Sequence, residues 1–227
     1  MKPKLVLFDL DGTLVDSAPD IAAALNAALA DLGLPTHPLP TVTSYVGDGA
    51  AKLVERAVDP AAHVDQAVLL ERFKARYAEN VCVATKPYPG VVEMLDAFAA
   101  RGTPLAVLTN KPGDLARSLL AALGLEARFA DVVGDGDGYA RKPSPDAALV
   151  LCAKHGVAPE ETLVVGDGLP DVRLAHAAAI PVAAVTWGYT SEGGLALEGP
   201  DWIVDSPREL LTLDRAPRGR PSVNRCG

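Results

Sequence analysis

Leu5-Val6-Leu7-Phe8-Asp9-Leu10-Asp11-Gly12-Thr13 is the stretch that decides the fold. Its first four residues are strongly apolar, which marks a strand buried on both faces, as in parallel sheets covered by helices. Asp9 and Asp11 follow at i, i+2 spacing, so both carboxylates leave one face of a chain that is still extended. Gly12 permits a tight turn and Thr13 can tether it. Working outward, Ile21, Leu25, Ala28, Leu29 and Leu32 predict a helix over 18–32, started by Ser17 or Asp16 and stopped by Gly33. Apolar runs at 105–108, 131–133, 163–166, 182–185 and 202–204 predict strands. Helical patterns over 91–100, 112–123, 144–155 and 170–179 lie between or before them. Strand–helix alternation of this kind predicts βαβ units on one parallel sheet, a Rossmann-like α/β core.

The early part of the chain breaks that rhythm. Helical patterns near 48–58 and 64–81 follow a Pro- and Thr-rich segment over 34–45 that reads as a loop. We therefore expect a discontinuous core of residues 1–16 and 84–213, a small all-helical insert over 17–83, and a flexible tail over 214–227. An insert whose ends return to one core can move over a site on it.

Composition narrows the function classes. The chain has 227 residues, of which 49% are hydrophobic and 22% charged. A chain of that size buries about 70% of its unfolded surface and needs no disulfide to fold. Lys+Arg 21 against Asp+Glu 29 gives a net charge of −8, which argues against a nucleic-acid partner held by its phosphates. Cys82, Cys152 and Cys226 form no metal-ligand cluster, and Cys152 reads as a small core residue. His37, His63, His155 and His176 lack zinc-site spacing. Only four apolar residues precede Asp9, and no apolar run approaches about 18 residues, so neither a leader nor a membrane partner is expected and a cytoplasmic location is.

Chemistry is expected where buried strands end, because open parallel sheets bind ligands at the carboxyl ends of their strands. Asp9/Asp11, Thr109-Asn110-Lys111, Lys142, and Gly166-Asp167 with Asp171 occupy such places. Together they offer a cation site beside an anion site, a mixture that suits a phosphorylated ligand with magnesium. Two carboxylates as close as Asp9 and Asp11 repel unless a cation neutralises them, and oxygen-rich sites suit Mg²⁺. The glycine- and aspartate-rich loop over 134–138 lacks a nucleotide-binding pattern and is expected near the site mouth.

These segments resemble the haloacid-dehalogenase-like superfamily in its phosphatase branch. Asp9-Leu10-Asp11-Gly12-Thr13-Leu14-Val15-Asp16-Ser17 is similar to its first motif, Thr109-Asn110-Lys111 to its second, Lys142-Pro143 to its third, and Gly166-Asp167-Gly168 with Asp171 to its fourth. The helical insert resembles the family's small cap. Tyr45-Val46-Gly47-Asp48-Gly49 and Val185-Thr186-Trp187-Gly188-Tyr189 resemble segments of the phosphoglycolate phosphatases. The resemblance implies Asp9 as nucleophile, Asp11 as general acid and base, Thr109 and the Asn110 N–H as phosphate holders, and Lys142 as the cation on the transferring group. It implies Mg²⁺ on Asp9, the Asp11 carbonyl and Asp167, with Asp171 positioning that centre.

The expected reaction is hydrolysis of a small phosphorylated metabolite, 2-phosphoglycolate first. A sugar phosphate, a phosphorylated amino sugar or pyrophosphate stays open, as does a non-enzymatic phosphate-binding regulator. The joint presence of Asp9 and Asp11 favours catalysis. Gly47 and Gly49 are expected to approach a small ligand, and Lys52 and Arg56, one helical turn apart, to meet its carboxylate. Gly168 stands where the family commonly has Ser or Thr, and Ala179 where many members have Gly.

Overall fold

The computed structural model describes residues 2–60 and 64–213, so the predicted tail at 214–227, His63 and Cys226 lie outside the described residues. In chain order the elements are β1 (Leu5–Phe8), β2 (Val15–Asp16), α1 (Ala18–Ala30), α2 (Leu39–Thr43), α3 (Ala50–Arg56), α4 (Gln66–Glu79), β3 (Lys86–Pro87), α5 (Val91–Ala100) and β4 (Leu105–Pro112). They continue with α6 (Gly113–Ala122), β5 (Asp131–Asp135), α7 (Asp146–His155), β6 (Thr162–Gly166), α8 (Leu169–Ala178), β7 (Val182–Val185), α9 (Glu192–Glu198) and β8 (Trp202–Val204).

Six strands form one parallel sheet in the order β5-β4-β1-β6-β7-β8. β1 is central, with Phe8 in register with Val107 on one side and Val165 on the other. The chain builds outward from β1 through β4 and β5, then returns to add β6, β7 and β8 on the opposite side. That reversal opens a crevice at the carboxyl end of β1. The sheet is covered on both faces. Val6, Phe8, Phe98, Leu119 and Val165 belong to one apolar cluster, and Leu5, Leu7, Leu151, Val164 and Val172 to the other.

α1 to α4 form the helical cap insertion, with a third cluster in which Leu25, Leu29, Leu69, Phe73 and Tyr77 pack together and Leu115 of α6 joins from the core. The insertion leaves and rejoins the core through the antiparallel pair β2 and β3. Two residues per strand are too few to show an alternation, which is why the sequence does not announce this ribbon. α1 stops at Ala30, two residues short of the predicted end, and α2 lies inside the predicted loop. β4 runs on to Pro112, which pairs with Asp135 after an irregularity, so Pro112 precedes α6 and does not form its first turn. Ser17 does not cap α1 with its side chain. The Tyr189 hydroxyl does so from the far end of the chain, accepting from the Ser17 and Ala18 N–H groups at 2.8 and 2.9 Å.

Candidate active site

Asp9 continues the pairing of β1, donating its N–H to the Val165 carbonyl at 2.9 Å, and this fixes its carboxylate beside the end of β6. Asp167 follows β6 directly. Gly12 turns the intervening chain at φ +86°, a conformation that L side chains rarely adopt, and a Cβ there would lie 2.4 Å from Asp167 Oδ2. The Thr13 hydroxyl and the Tyr189 N–H donate to the Asp167 carboxylate, each at 2.8 Å. Burial, and then the neighbouring Asp9 charge, push the Asp167 carboxyl up to about 7 against these donors.

Lys142 bridges the remaining acids. Its ammonium lies 2.9 Å from Asp9 and 2.8 Å from Asp171, and all three side chains are buried. Burial alone would lower its pKa, but Asp171 and Asp9 raise it well above the ordinary lysine range, so it is a fixed positive charge. Asp171, in the first turn of α8, also accepts the Gly168 N–H at 3.1 Å. Burial pushes the Asp171 carboxyl up and Lys142 pulls it back. Asn110 holds the backbone of Lys142 from both sides, accepting its N–H at 2.9 Å and donating to its carbonyl at 3.2 Å.

Oxygens of Asp9, Asp167 and Asp171 lie within 4.8 Å of one another, near enough to hold one divalent ion. Three buried carboxylates face one buried ammonium, so the cluster is short of positive charge. A hard divalent cation on oxygen ligands fits that deficit, and the glycine turn beside Asp167 leaves space that any side chain would fill.

Asp11 stands apart from this cluster. Its carboxylate accepts from the Ser17 hydroxyl at 2.5 Å and from Lys111 Nζ at 3.1 Å on each oxygen. Lys111 is 7% exposed, and its ammonium sits 4.3 Å from the centre of the Tyr77 ring. Burial would lower its pKa, but the Asp11 charge and then the Tyr77 contact raise it. Asp9, Asp11, Thr109 and Lys111 line a cavity roofed by Gly47, Gly49 and the apolar faces of α1, α3 and α4.

The predicted residues therefore divide. Asp9, Lys142, Asp167 and Asp171 meet in one cluster, with Asp11, Thr109 and Asn110 beside it. Thr109 is buried and its hydroxyl accepts the Lys111 N–H at 3.2 Å. Gly47 and Gly49 reach the core: the Gly47 carbonyl accepts from the Asn110 side chain at 3.1 Å. Gly49, at φ +91°, passes so close to the Asn110 carbonyl that a Cβ would lie 3.1 Å away. Lys52 lies elsewhere, exposed and paired with Glu55 at 2.6 Å. Arg56 reaches the outer cleft, but pairs with Asp48 and donates to the Tyr45 carbonyl at 3.0 Å.

The loop over 134–138 ties itself down, Asp137 taking Arg117 at 2.8 Å and the Gly134 N–H at 2.9 Å. Gly134 and Asp135 share a small cavity wall with Lys142. The sequence places Lys111 at a strand end and Ser17 at the close of the first motif but gives neither a role in the site, and it does not single out Tyr77. Lys111 adjoins two predicted residues at the end of β4, a signal that was available. Tyr77 reads like any aromatic on an amphipathic helix, so its place was not.

Comparison with known proteins agrees with this arrangement. The family model described as haloacid dehalogenase-like hydrolase matches residues 6–185. The chain is 40% identical over 218 residues to a phosphoglycolate phosphatase of Haemophilus influenzae, covering 92% of this chain and 97% of that one. It is 41% identical to a plasmid-borne phosphoglycolate phosphatase of Cupriavidus necator, covering 96% of each. A crystal structure described as a predicted phosphoglycolate phosphatase from Haemophilus somnus superposes with a TM-score of 0.88 at 37% identity, covering 95% of this chain and 99% of that one.

Proposed function

We propose, for a chain that belongs to the haloacid dehalogenase-like hydrolases and carries their phosphatase chemistry, that the reaction is magnesium-dependent hydrolysis of 2-phosphoglycolate to glycolate and phosphate. The observation that carries the chemistry is the meeting of Asp9, Asp167 and Asp171 around Lys142 at the switch point of the sheet. The names of the relatives, all near 40% identity over most of both chains, support the substrate.

Asp9 attacks phosphorus, and the P–O bond to the substrate's alkoxide breaks as the aspartyl phosphate forms. Asp11 gives its proton to the departing oxygen and takes one from the water that then attacks the aspartyl phosphate at phosphorus, releasing phosphate and regenerating Asp9. The Thr109 hydroxyl and the Asn110 N–H hold phosphoryl oxygens, and Lys142 offsets the negative charge shared by Asp9 and the transferring group. The Asp9 carboxylate, the Asp11 carbonyl and Asp167 would hold magnesium, whose positive charge would screen the nucleophile from the phosphoryl oxygens. Asp171 keeps Lys142 in place, at 2.8 Å. The cap excludes water from the pocket.

The test is phosphate release by the purified protein, with and without magnesium, from 2-phosphoglycolate, glucose 6-phosphate, glucosamine 6-phosphate and pyrophosphate. The highest kcat/KM is expected on 2-phosphoglycolate and only with the metal. A higher kcat/KM on any other of these compounds overturns the substrate, and metal-independent turnover overturns the cofactor.

A further inference from the structure

The proposed reaction gives no task to Lys111 or Tyr77, two ionisable side chains that line the inner cavity. Burial of Lys111 is costly unless the charge has partners. Asp11 is one, yet Asp11 already has the Ser17 hydroxyl at 2.5 Å to orient it. Lys111 is the cation among the described residues lining the inner cavity, whose walls are otherwise mainly apolar, with Ile21, Val46, Leu53 and Phe73 from the cap. Tyr77 lines the same cavity from α4. It is wholly buried, and its hydroxyl has no hydrogen-bond partner among the described residues. Such a group is uncommon in a native interior, and with the Lys111 ammonium beside it the O–H is placed to donate to a ligand oxygen.

We propose that Lys111 and Tyr77 form the subsite for the substrate's carboxylate, the ammonium coming from the core and the O–H from the cap. This rests on the reading of the substrate given above. Lys111 touches Asp11, the group assigned to protonate the leaving oxygen. In 2-phosphoglycolate the carboxyl carbon is two bonds from that oxygen, so a carboxylate held there falls within reach of the same ammonium. A lysine has three N–H donors and serves Asp11 and a second carboxylate together.

The cap cations expected for this task are taken up elsewhere, Lys52 by Glu55 and Arg56 by Asp48. The subsite joins β4 to α4, so a substrate with a carboxylate draws cap and core together, whereas a phosphomonoester that lacks one leaves Tyr77 unpaired. The selected class is short phosphomonoesters with an acid group close to the ester oxygen.

The experiment compares kcat/KM on 2-phosphoglycolate and on ethyl phosphate, of similar size without the carboxylate, in the parent, Lys111→Met and Tyr77→Phe. Lys111→Met also disturbs Asp11 and slows both substrates, so the ratio is the readout. The ratio is expected to fall on the order of 10²-fold in Lys111→Met, the loss of a charge-assisted hydrogen bond, and about 3–10-fold in Tyr77→Phe. Tyr77→Phe keeps the ring and its packing, so it carries the test should Lys111→Met fail to fold. A parent preference for 2-phosphoglycolate with the ratio unchanged in the variants overturns the subsite alone. A parent with no such preference overturns the substrate reading on which it rests.

Discussion

Asp9 and Asp11 are two residues apart, yet they face different partners. Asp9 lies 2.9 Å from the buried Lys142 ammonium, while Asp11 sits on the cavity side with Ser17 and Lys111. Asp9→Asn keeps the shape but removes the nucleophile and one ligand charge. Its loss of kcat is expected to exceed the roughly 10²–10⁴-fold of missing acid–base help, with folding retained by circular dichroism. Parental turnover from a preparation free of wild-type enzyme would show that Asp9 is not the attacking group. Asp11→Asn should slow single-turnover phosphorylation by ethyl phosphate far more than by p-nitrophenyl phosphate, whose leaving group needs little protonation. An equal loss on both would remove its role as acid.

At the scale of elements, the start of α1 is fixed by contacts that no local pattern supplies. Asp20, in the first turn of α1, is buried and accepts from the Val83, Ala84 and Thr85 N–H groups at 2.8–3.0 Å and from the Thr85 hydroxyl at 2.6 Å. It therefore ties the start of the cap to the segment by which the chain returns. Burial would raise its pKa, but these donors lower it below 3.8. A lowered native pKa contributes stability that is whole above 3.8 and is lost as the pH falls through the native value. Asp20→Asn should cost about 1–3 kcal/mol at pH 7, measured by urea unfolding, and less as the pH drops below 3.8. A pH-independent cost would exclude the charge as its cause.

Elsewhere, Ala179 closes α8 at φ +56°, in the left-handed region that favours glycine. Ala179→Gly relieves that conformation and should add about 1 kcal/mol, or about 2–4 °C in Tm. A lower Tm would mean that glycine's extra freedom when unfolded outweighs the strain.

Across the whole molecule the sheet gathers carboxylates from distant parts of the chain into one buried cluster, and their balance with cations sets its response to pH. The Asp167 carboxyl stands at about 7, so the metal-free native state holds a proton that the unfolded chain releases near the ordinary value of 3.8. Stability without metal should therefore fall as the pH rises from about 4 to about 7, by the raised-carboxylate sign of the linkage. Magnesium favours the ionised carboxylates, so it should raise Tm more at pH 8 than at pH 5.5 and release protons on binding at pH 6. Calorimetry in buffers of different ionisation enthalpy measures that release, and none at pH 6 would refute the pairing of Asp167 with the ion.

The sequence by itself determined the sheet and the cluster of acids at its strand ends. Buried strands show as short apolar runs, and a polar residue directly after one lies at a strand end wherever the strand goes. Backbone geometry thus carries Asp9, Asp167 and the segment at Thr109 to one edge of the parallel sheet. A continuous motif such as Asp9 to Ser17 needs only local folding to become a site. Tertiary structure alone decided how the cap faces that edge. The packing of α1 against α4 and of Leu115 against the cap turns Tyr77 and Gly49 inward, and leaves Lys52 outside. A helical periodicity tells which face is apolar but not which neighbour covers it. So it could not tell that the two cationic residues on α3 pair with Glu55 and Asp48. Contacts such as the Tyr189 hydroxyl on Ser17 and Ala18 join residues more than 170 apart, and only packing can bring those together.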